Sequence, residues 1–347
     1  MKEYESFLNQ TDEKAWMTAL TTLLSEIHEV DRTATQIWFR FYPLDLFRKL
    51  EAAEDRAAMI QKFVMQGDYE LKNQIDSSHK FLYGHRFWKE VRNAIVNRAE
   101  SFKAENTDLA QEIKAIAKDV AAQKKADESL LVGITAVGLM TLTQSGFEAF
   151  KNSEGKIYID ASHAKKSPES VLAERAKDDS QGIFGFLKTV DKSWTVTYDE
   201  NKNGAKFKSI NDEEIASAAA RDTSEDWAKQ DPRRMEGVVP VECRSAACGT
   251  CWVGVLGGQE KLSEVSPREA KQMKIFGYNQ PQEAKPFMRL ACQARTTGAV
   301  SIVIPPWNGV FGKAVYGGVE EVELLPATTS AQANRTVVKD AVKNKLM

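Results

Sequence analysis

Cysteine and histidine are scarce in this chain, with four of each among 347 residues. Other absences narrow the function classes. No G-x-G-x-x-G opens a helix after a strand, and there is no Walker A lysine loop, so neither a dinucleotide site nor a P-loop is expected. H-E-x-x-H, G-x-S-x-G and kinase signatures are missing as well. Charge of neither sign dominates: 28% of residues are charged and the net charge is -2, which leaves no footprint for nucleic acid and no acidic tail. Repeats and long low-complexity segments are absent. One uncharged run, SLLVGITAVGLMTL (Ser129–Leu142), falls short of the roughly 20 apolar residues of a membrane span and reads as a buried helix. The opening MKEYESFLNQTDEKAW has no basic stretch leading into an apolar one, and it is acidic without arginine. No secretory or organelle signal is expected, and a cytoplasmic location follows.

What is present divides the chain in two. In EKAWMTALTTLLSEIHEV, Trp16, Leu20, Leu23, Leu24 and Ile27 recur on one helical face. ATQIWFRFYPLDLFRKL, LEAAEDRAAMIQKFVMQ, HRFWKEVRNAIVNRAESFKAE and DLAQEIKAIAKDVAAQKK continue in good helix formers, and a helix over Ser129–Phe150 closes the set. Five to seven helices in a bundle are expected over residues 1–150. A connector over 151–192 begins with GKIYID (Gly155–Asp160), which alternates like a short strand. SWTVTYDE and AKFKSI, joined by Asn201–Gly204, then form a hairpin signal, and Asn211 or Asp212 is placed to cap a helix through EEIASAAARD.

The cysteines carry the chemistry. Cys243, Cys248 and Cys251 lie in VECRSAACGTCWVGV, and Cys292 lies far downstream in RLACQA. Nothing points to export, which argues against disulfides. Structural zinc usually draws on two tight Cys pairs, and here there is one. The x4, x2, distant spacing is instead the plant-type pattern for a [2Fe–2S] cluster. A loop can offer three sulfurs to one side of a flat cluster, and a separate strand end supplies the fourth from the other direction. The intervening residues are mostly small, which lets backbone N–H groups approach sulfur. Gly249 can adopt positive φ where the loop turns. The hydroxyls of Ser245 and Thr250 either bond the sulfurs or are ordinary loop polarity.

CRSAACGTC followed by RLACQA resembles the [2Fe–2S] ferredoxins of the plant and adrenodoxin type, over roughly Ser193 to Pro305. The resemblance implies a β-grasp fold, one [2Fe–2S] cluster and one-electron transfer at low potential. It also implies that Cys243 and Cys248 hold one iron and Cys251 and Cys292 the other. The Cys251–Cys292 gap is longer than is usual in that family. Within it Ser266, Pro267, Glu269 and Gly277 mark the ends of a short helix with a capping box, followed by the loop YNQPQEAKP. A second insertion, DTSEDWAKQDPRRMEG, precedes Cys243. Either insertion can cover the cluster or form a partner surface.

The remaining features have plainer readings. His79 and His85 are six apart, share no helix face, and belong to no Glu-x-x-His pair, so they read as ordinary helix-surface or buried hydrogen-bonded histidines. The aromatics Trp38, Phe39, Phe41, Tyr42, Phe47, Phe81, Tyr83, Phe87 and Trp88 read as bundle core, with a partner-docking surface as the alternative. Trp252 reads as core beneath the cysteine loop, and Trp307 as folding back onto the domain.

The expected architecture is α+β and multidomain: a helical bundle over 1–150, a connector over 151–192, a β-grasp ferredoxin-type domain over 193–325 and a tail over 326–347. The expected function is electron carriage without catalysis. The helical part would dock to a larger oxidoreductase or electron-transport complex, with any membrane association made through that partner. The alternative is a protective ferredoxin that binds a partner enzyme in one oxidation state.

Overall fold

The computed structural model describes residues 2–103, 108–177, 192–278 and 285–317. The 326–347 tail, most of the YNQPQEAKP loop and part of the connector lie outside these residues. In chain order the helices are α1 (Lys2–Gln10), α2 (Glu13–Leu23), α3 (Glu29–Phe41), α4 (Leu44–Glu51), α5 (Arg56–Lys62), α6 (Trp88–Ser101), α7 (Leu109–Lys124), α8 (Ser129–Ser145) and α9 (Phe147–Asn152). Next come α10 (Ala161–Ala164), α11 (Pro168–Ala176), α12 (Ile215–Ala219), α13 (Trp227–Gln230), α14 (Pro267–Phe276) and α15 (Gly312–Tyr316). The strands are β1 (Gln66–Gly67), β2 (Ser193–Thr197), β3 (Lys206–Ile210), β4 (Glu213–Glu214), β5 (Trp252–Gly257), β6 (Met288–Leu290), β7 (Arg295–Thr296), β8 (Val300–Val303) and β9 (Trp307–Asn308).

Two compact units emerge. One comprises Met1–Arg56, Glu70–Glu174 and Glu200–Gly204, and the other Ala57–Tyr69, Arg175–Asp199 and Ala205–Met347.

The first unit is helical and is built around α8, which is apolar on every side and buried along nearly its whole length. α3, α6 and α7 pack against it. Close approach is possible because α8 carries glycine at the contacts. A Cβ on Gly138 would stand 2.6 Å from Ile95 Cδ1, and one on Gly133 would stand 2.5 Å from Thr35 Oγ1. No helix among the described residues is long and apolar enough to cross a membrane. The helices are shorter and more numerous than the periodicity implies. α3 stops before Pro43, which caps α4, and the expected Ser129–Phe150 helix breaks at Gly146, whose φ of 79° is left-handed. The aromatics are core: Trp38, Phe39, Phe41, Tyr42, Phe81, Tyr83 and Trp88 are buried, while Phe47 and Phe87 are half-buried. GKIYID is not a strand. It joins no sheet, and the Tyr158 N–H donates to His85 Nε2 at 2.9 Å.

That bond ends a buried chain. His85 Nδ1 and His79 Nδ1 lie 2.9 Å apart, and His79 Nε2 is 3.1 Å from the Ile75 carbonyl. Only one assignment satisfies every contact. His79 carries its proton on Nε2 and donates to Ile75, and His85 carries its proton on Nδ1 and donates to His79. Burial holds His79 down at about 3. Burial and the neighbouring His79 hold His85 at about 2.

The second unit holds a five-stranded sheet of order β3-β2-β8-β5-β6. The expected hairpin is present, with Ser193 opposite Ile210 and Thr197 opposite Lys206. β2 runs parallel to β8, pairing Val196 with Val300, and β5 runs antiparallel to both β8 and β6. Val196, Phe207, Ile215, Val253, Leu290 and Ile302 are buried in this unit. The helix after the hairpin is shorter than EEIASAAARD implies and is not capped by Asn211 or Asp212. Asp212 sits at φ 62°, and Glu213 and Glu214 pair with Thr296 and Arg295 as β4 before α12 begins.

Because the unfolded chain protonates His79 and His85 near 6.5 while the folded chain keeps both neutral, stability is complete above that pH and is lost as pH falls below it. Each histidine contributes a slope of about 1.4 kcal/mol per pH unit. Thermal midpoints measured from pH 7 to pH 5 are expected to fall, and His85→Gln is expected to flatten the decline by about half. An identical slope in the variant would remove the histidine chain as its cause.

Candidate functional site

The cysteine loop lies between Val241 and β5, without regular structure until Cys251. Two non-glycine residues in it adopt the left-handed region, Arg244 at φ 54° and Ala246 at φ 59°. Each such residue is disfavoured by roughly 1–2 kcal/mol. What the strain accomplishes is visible in the N–H groups. Ser245 N–H donates to Cys243 Sγ at 3.4 Å and Ala247 N–H to the same sulfur at 3.3 Å. Ala246 N–H points to Cys292. A concave array of amides is a suitable cradle for negative sulfur.

Arg244 is held outward by Glu236, and by Ser217 of α12 at 3.0 Å. Gly249, at φ 70°, packs so closely on Phe276 that a Cβ would stand 2.9 Å from the ring.

The distant cysteine is delivered by β6. Trp252 pairs with Leu290, and Ala291 N–H donates to the Cys251 carbonyl at 2.8 Å, so Cys292 follows directly on a residue tied to Cys251. α12 reinforces this turn, since Ala216 N–H donates to Ala291 and Ile215 N–H to Ala294.

The four thiols lie close together: Cys243 and Cys248 influence each other, as do Cys251 and Cys292, and charge on Cys248 is felt at Cys251 and charge on Cys243 at Cys292. Cys243 is pulled below the usual thiol range, first by the Cys248 thiol and then by the Ser245 and Ala247 contacts, against the opposing effect of burial. Cys292 is lowered by Cys251 and by Gln293, whose Nε2 lies 3.6 Å from its sulfur. Cys248 and Cys251 are raised by the neighbouring thiols Cys243 and Cys292 respectively, and by burial. Cys251 and Cys292 are buried, whereas Cys243 and Cys248 are partly open to solvent. Among the described residues, no group of three or more His, Cys, Asp or Glu side chains is arranged around a single ion position.

The hydroxyls have distinct partners. That of Ser245 contacts Cys243, and that of Thr250 contacts Cys248 and Glu242, at 3.1 Å from the latter.

Beneath the loop lies an aromatic layer. Trp252 stacks on Tyr278 with ring centroids 3.6 Å apart and donates through Nε1 to the Trp307 carbonyl at 3.0 Å. Trp307 and Phe311 complete it at 5.6 Å.

Residues 208–297 match the family model of the 2Fe-2S iron-sulfur cluster binding domain. This part of the chain is a 2Fe-2S ferredoxin-type domain. The N-terminal region matches no family model. No curated protein and no solved structure matches the chain. The matched range contains all four cysteines and α14. A 2Fe-2S domain of this kind supports an electron-transfer role and is typical of carriers that do not catalyse.

The supports of the 2Fe-2S domain come from contacts that local sequence does not display. α14 has the expected bounds, with Ser266 accepting from Glu269 N–H at 3.1 Å and Gly277 closing the helix at φ 99°. The Glu269 carboxylate, however, does not complete a capping box. It is fully buried, makes two bonds to Arg289 at 2.9 and 3.0 Å, and accepts Leu290 N–H at 3.0 Å. The one available signal was Arg289 itself, a charge set in the apolar run leading to Cys292.

Gly249→Ala is expected to destabilise the chain by about 2 kcal/mol or more, since it adds left-handed strain and a clash with Phe276. A urea midpoint unchanged from wild type would show that the loop accommodates a Cβ there.

Proposed function

We propose that the protein is a one-electron carrier in which Cys243, Cys248, Cys251 and Cys292 hold a single [2Fe–2S] cluster within a β-grasp domain. The helical unit is proposed to dock this carrier to a larger oxidoreductase or electron-transport complex. The observation that carries the reading is the gathering of all four thiols, from two distant segments, within the part of the chain that matches the 2Fe-2S family model. A binuclear centre needs two thiolates on each iron, whereas a structural zinc site needs four around one ion. The β-grasp assignment is supported by the sheet order, in which the first hairpin strand lies parallel to the last long strand, and by a helix between hairpin and loop.

When bound, a cluster of this type takes up and returns one electron at a potential set by its charge, its hydrogen bonds and its exposure to solvent. The chain's own residues prepare for this. The Ser245, Ala246 and Ala247 N–H groups and the Gln293 amide point at sulfurs, where they favour added negative charge. Burial of Cys251 and Cys292 closes one side, and partial exposure of Cys243 and Cys248 makes theirs the edge at which a partner would exchange the electron. The helical unit has its own core around α8.

Anaerobically purified protein is expected to contain iron and acid-labile sulfide at about two each per chain. It should bleach in the visible on dithionite addition and then give a rhombic S = 1/2 signal near one spin per chain. Bound zinc in a colourless protein that cannot be reconstituted would overturn the reading. For the docking part, cross-linking in cell extract is expected to yield a defined large complex in both oxidation states. Recovery of the uncombined chain alone would count against it.

A further inference from the structure

α14 occupies the long interval between Cys251 and Cys292, and it reaches both cysteine-bearing segments. From its first turn, Glu269 holds Arg289 through two bonds and Leu290 through its N–H, which fixes the strand end that leads into Cys292. Its last residue, Phe276, lies against Gly249, next to Cys248. Just past the Gly277 stop, Tyr278 stacks on Trp252, the residue after Cys251. The far end of the helix is anchored in turn, with Phe311 N–H donating to the Phe276 carbonyl at 3.4 Å and Gly312 seated against the Lys274 carbonyl.

The buried ion pair is the informative part. Taking both charges out of water costs about as much as their attraction returns, so an apolar pair would serve stability equally well. What apolar residues cannot provide is direction. One carboxylate receiving two guanidinium N–H groups and one backbone N–H sets the position of β6 along its axis as well as across it.

We propose that α14 is a clamp that holds the three-cysteine loop and the Cys292 strand at the separation a cluster requires, with Glu269 and Phe276 as its positioning residues. Neither touches a thiol; each acts through a neighbour, Glu269 through Arg289 and Leu290, and Phe276 through Gly249. The inference rests on the [2Fe–2S] reading above.

The test uses full-length holoprotein challenged with excess iron chelator, following the decay of visible absorption, with EPR of the reduced samples. Glu269→Ala and Phe276→Ala are expected to lose the cluster about tenfold faster than wild type or more, with altered g-anisotropy. Glu269→Gln keeps the acceptor for Leu290, and Phe276→Leu keeps part of the ring's volume, so both should fall between. These two carry the comparison if the alanine variants do not fold. Phe207→Leu is the control for general weakening, because Phe207 is buried on β3, at the sheet edge opposite β6. It should release the cluster at the wild-type rate. Wild-type decay and line shape in the Glu269 and Phe276 variants would overturn the clamp, and so would equally fast release from Phe207→Leu. Wild-type protein lacking any [2Fe–2S] signal would overturn the underlying reading, and the clamp with it. That failure is recognisable because it is seen before any substitution is made.

Discussion

Four thiols from two distant chain segments must converge, and the second unit is organised around that constraint. One direct link is the backbone bond from Ala291 N–H to the Cys251 carbonyl, which extends the β5–β6 pairing to the edge of the cysteine loop. Everything adjoining it limits movement of one segment against the other. α12 fastens the far side of Cys292, the Trp252–Tyr278 stack supports the near side of Cys251, and Glu269 fixes β6.

The loop shows what that convergence costs locally. Arg244 and Ala246 accept left-handed backbone that a side chain disfavours, and the N–H groups around them turn towards sulfur as a result. Small residues make the turn possible, but size alone does not explain it. Arg244 is large and tolerates its position because Glu236 and Ser217 hold its guanidinium outside the loop. The thiol side thus receives amides, and the guanidinium charge is directed away from it.

The helical unit solves a different problem. Several of its buried polar groups are paired within the unit. Asp31 is fully buried and accepts the N–H groups of Tyr83 and Gly84 at 2.5 and 2.7 Å. Glu112 is matched by Arg98 at 2.8 Å and by the Tyr4 hydroxyl at 3.0 Å. His79 and His85 complete each other as neutral donors and acceptors. These groups orient the short helices and the turn at Tyr83–Phe87, where apolar packing alone would leave several arrangements nearly equal.

Local features were readable from residue order, because these depend on residues close together along the chain. The cysteine spacing, the Asn-Gly hairpin, the ends of α14 at Ser266 and Gly277, and the apolar α8 were all legible there. It did not reveal the break at Gly146, the pairing of Glu213 and Glu214 as a strand, or the failure of GKIYID to join a sheet. The last two depend on partners remote in sequence: Thr296 and Arg295 for β4, and the His85 ring for Tyr158. Glu269 is the clearest case. At its position the sequence foretold a helix cap, a role a carboxylate can fill within one turn. Only the tertiary structure placed Arg289 and Leu290 beside it, and a buried carboxylate takes the partners that replace the most lost hydration.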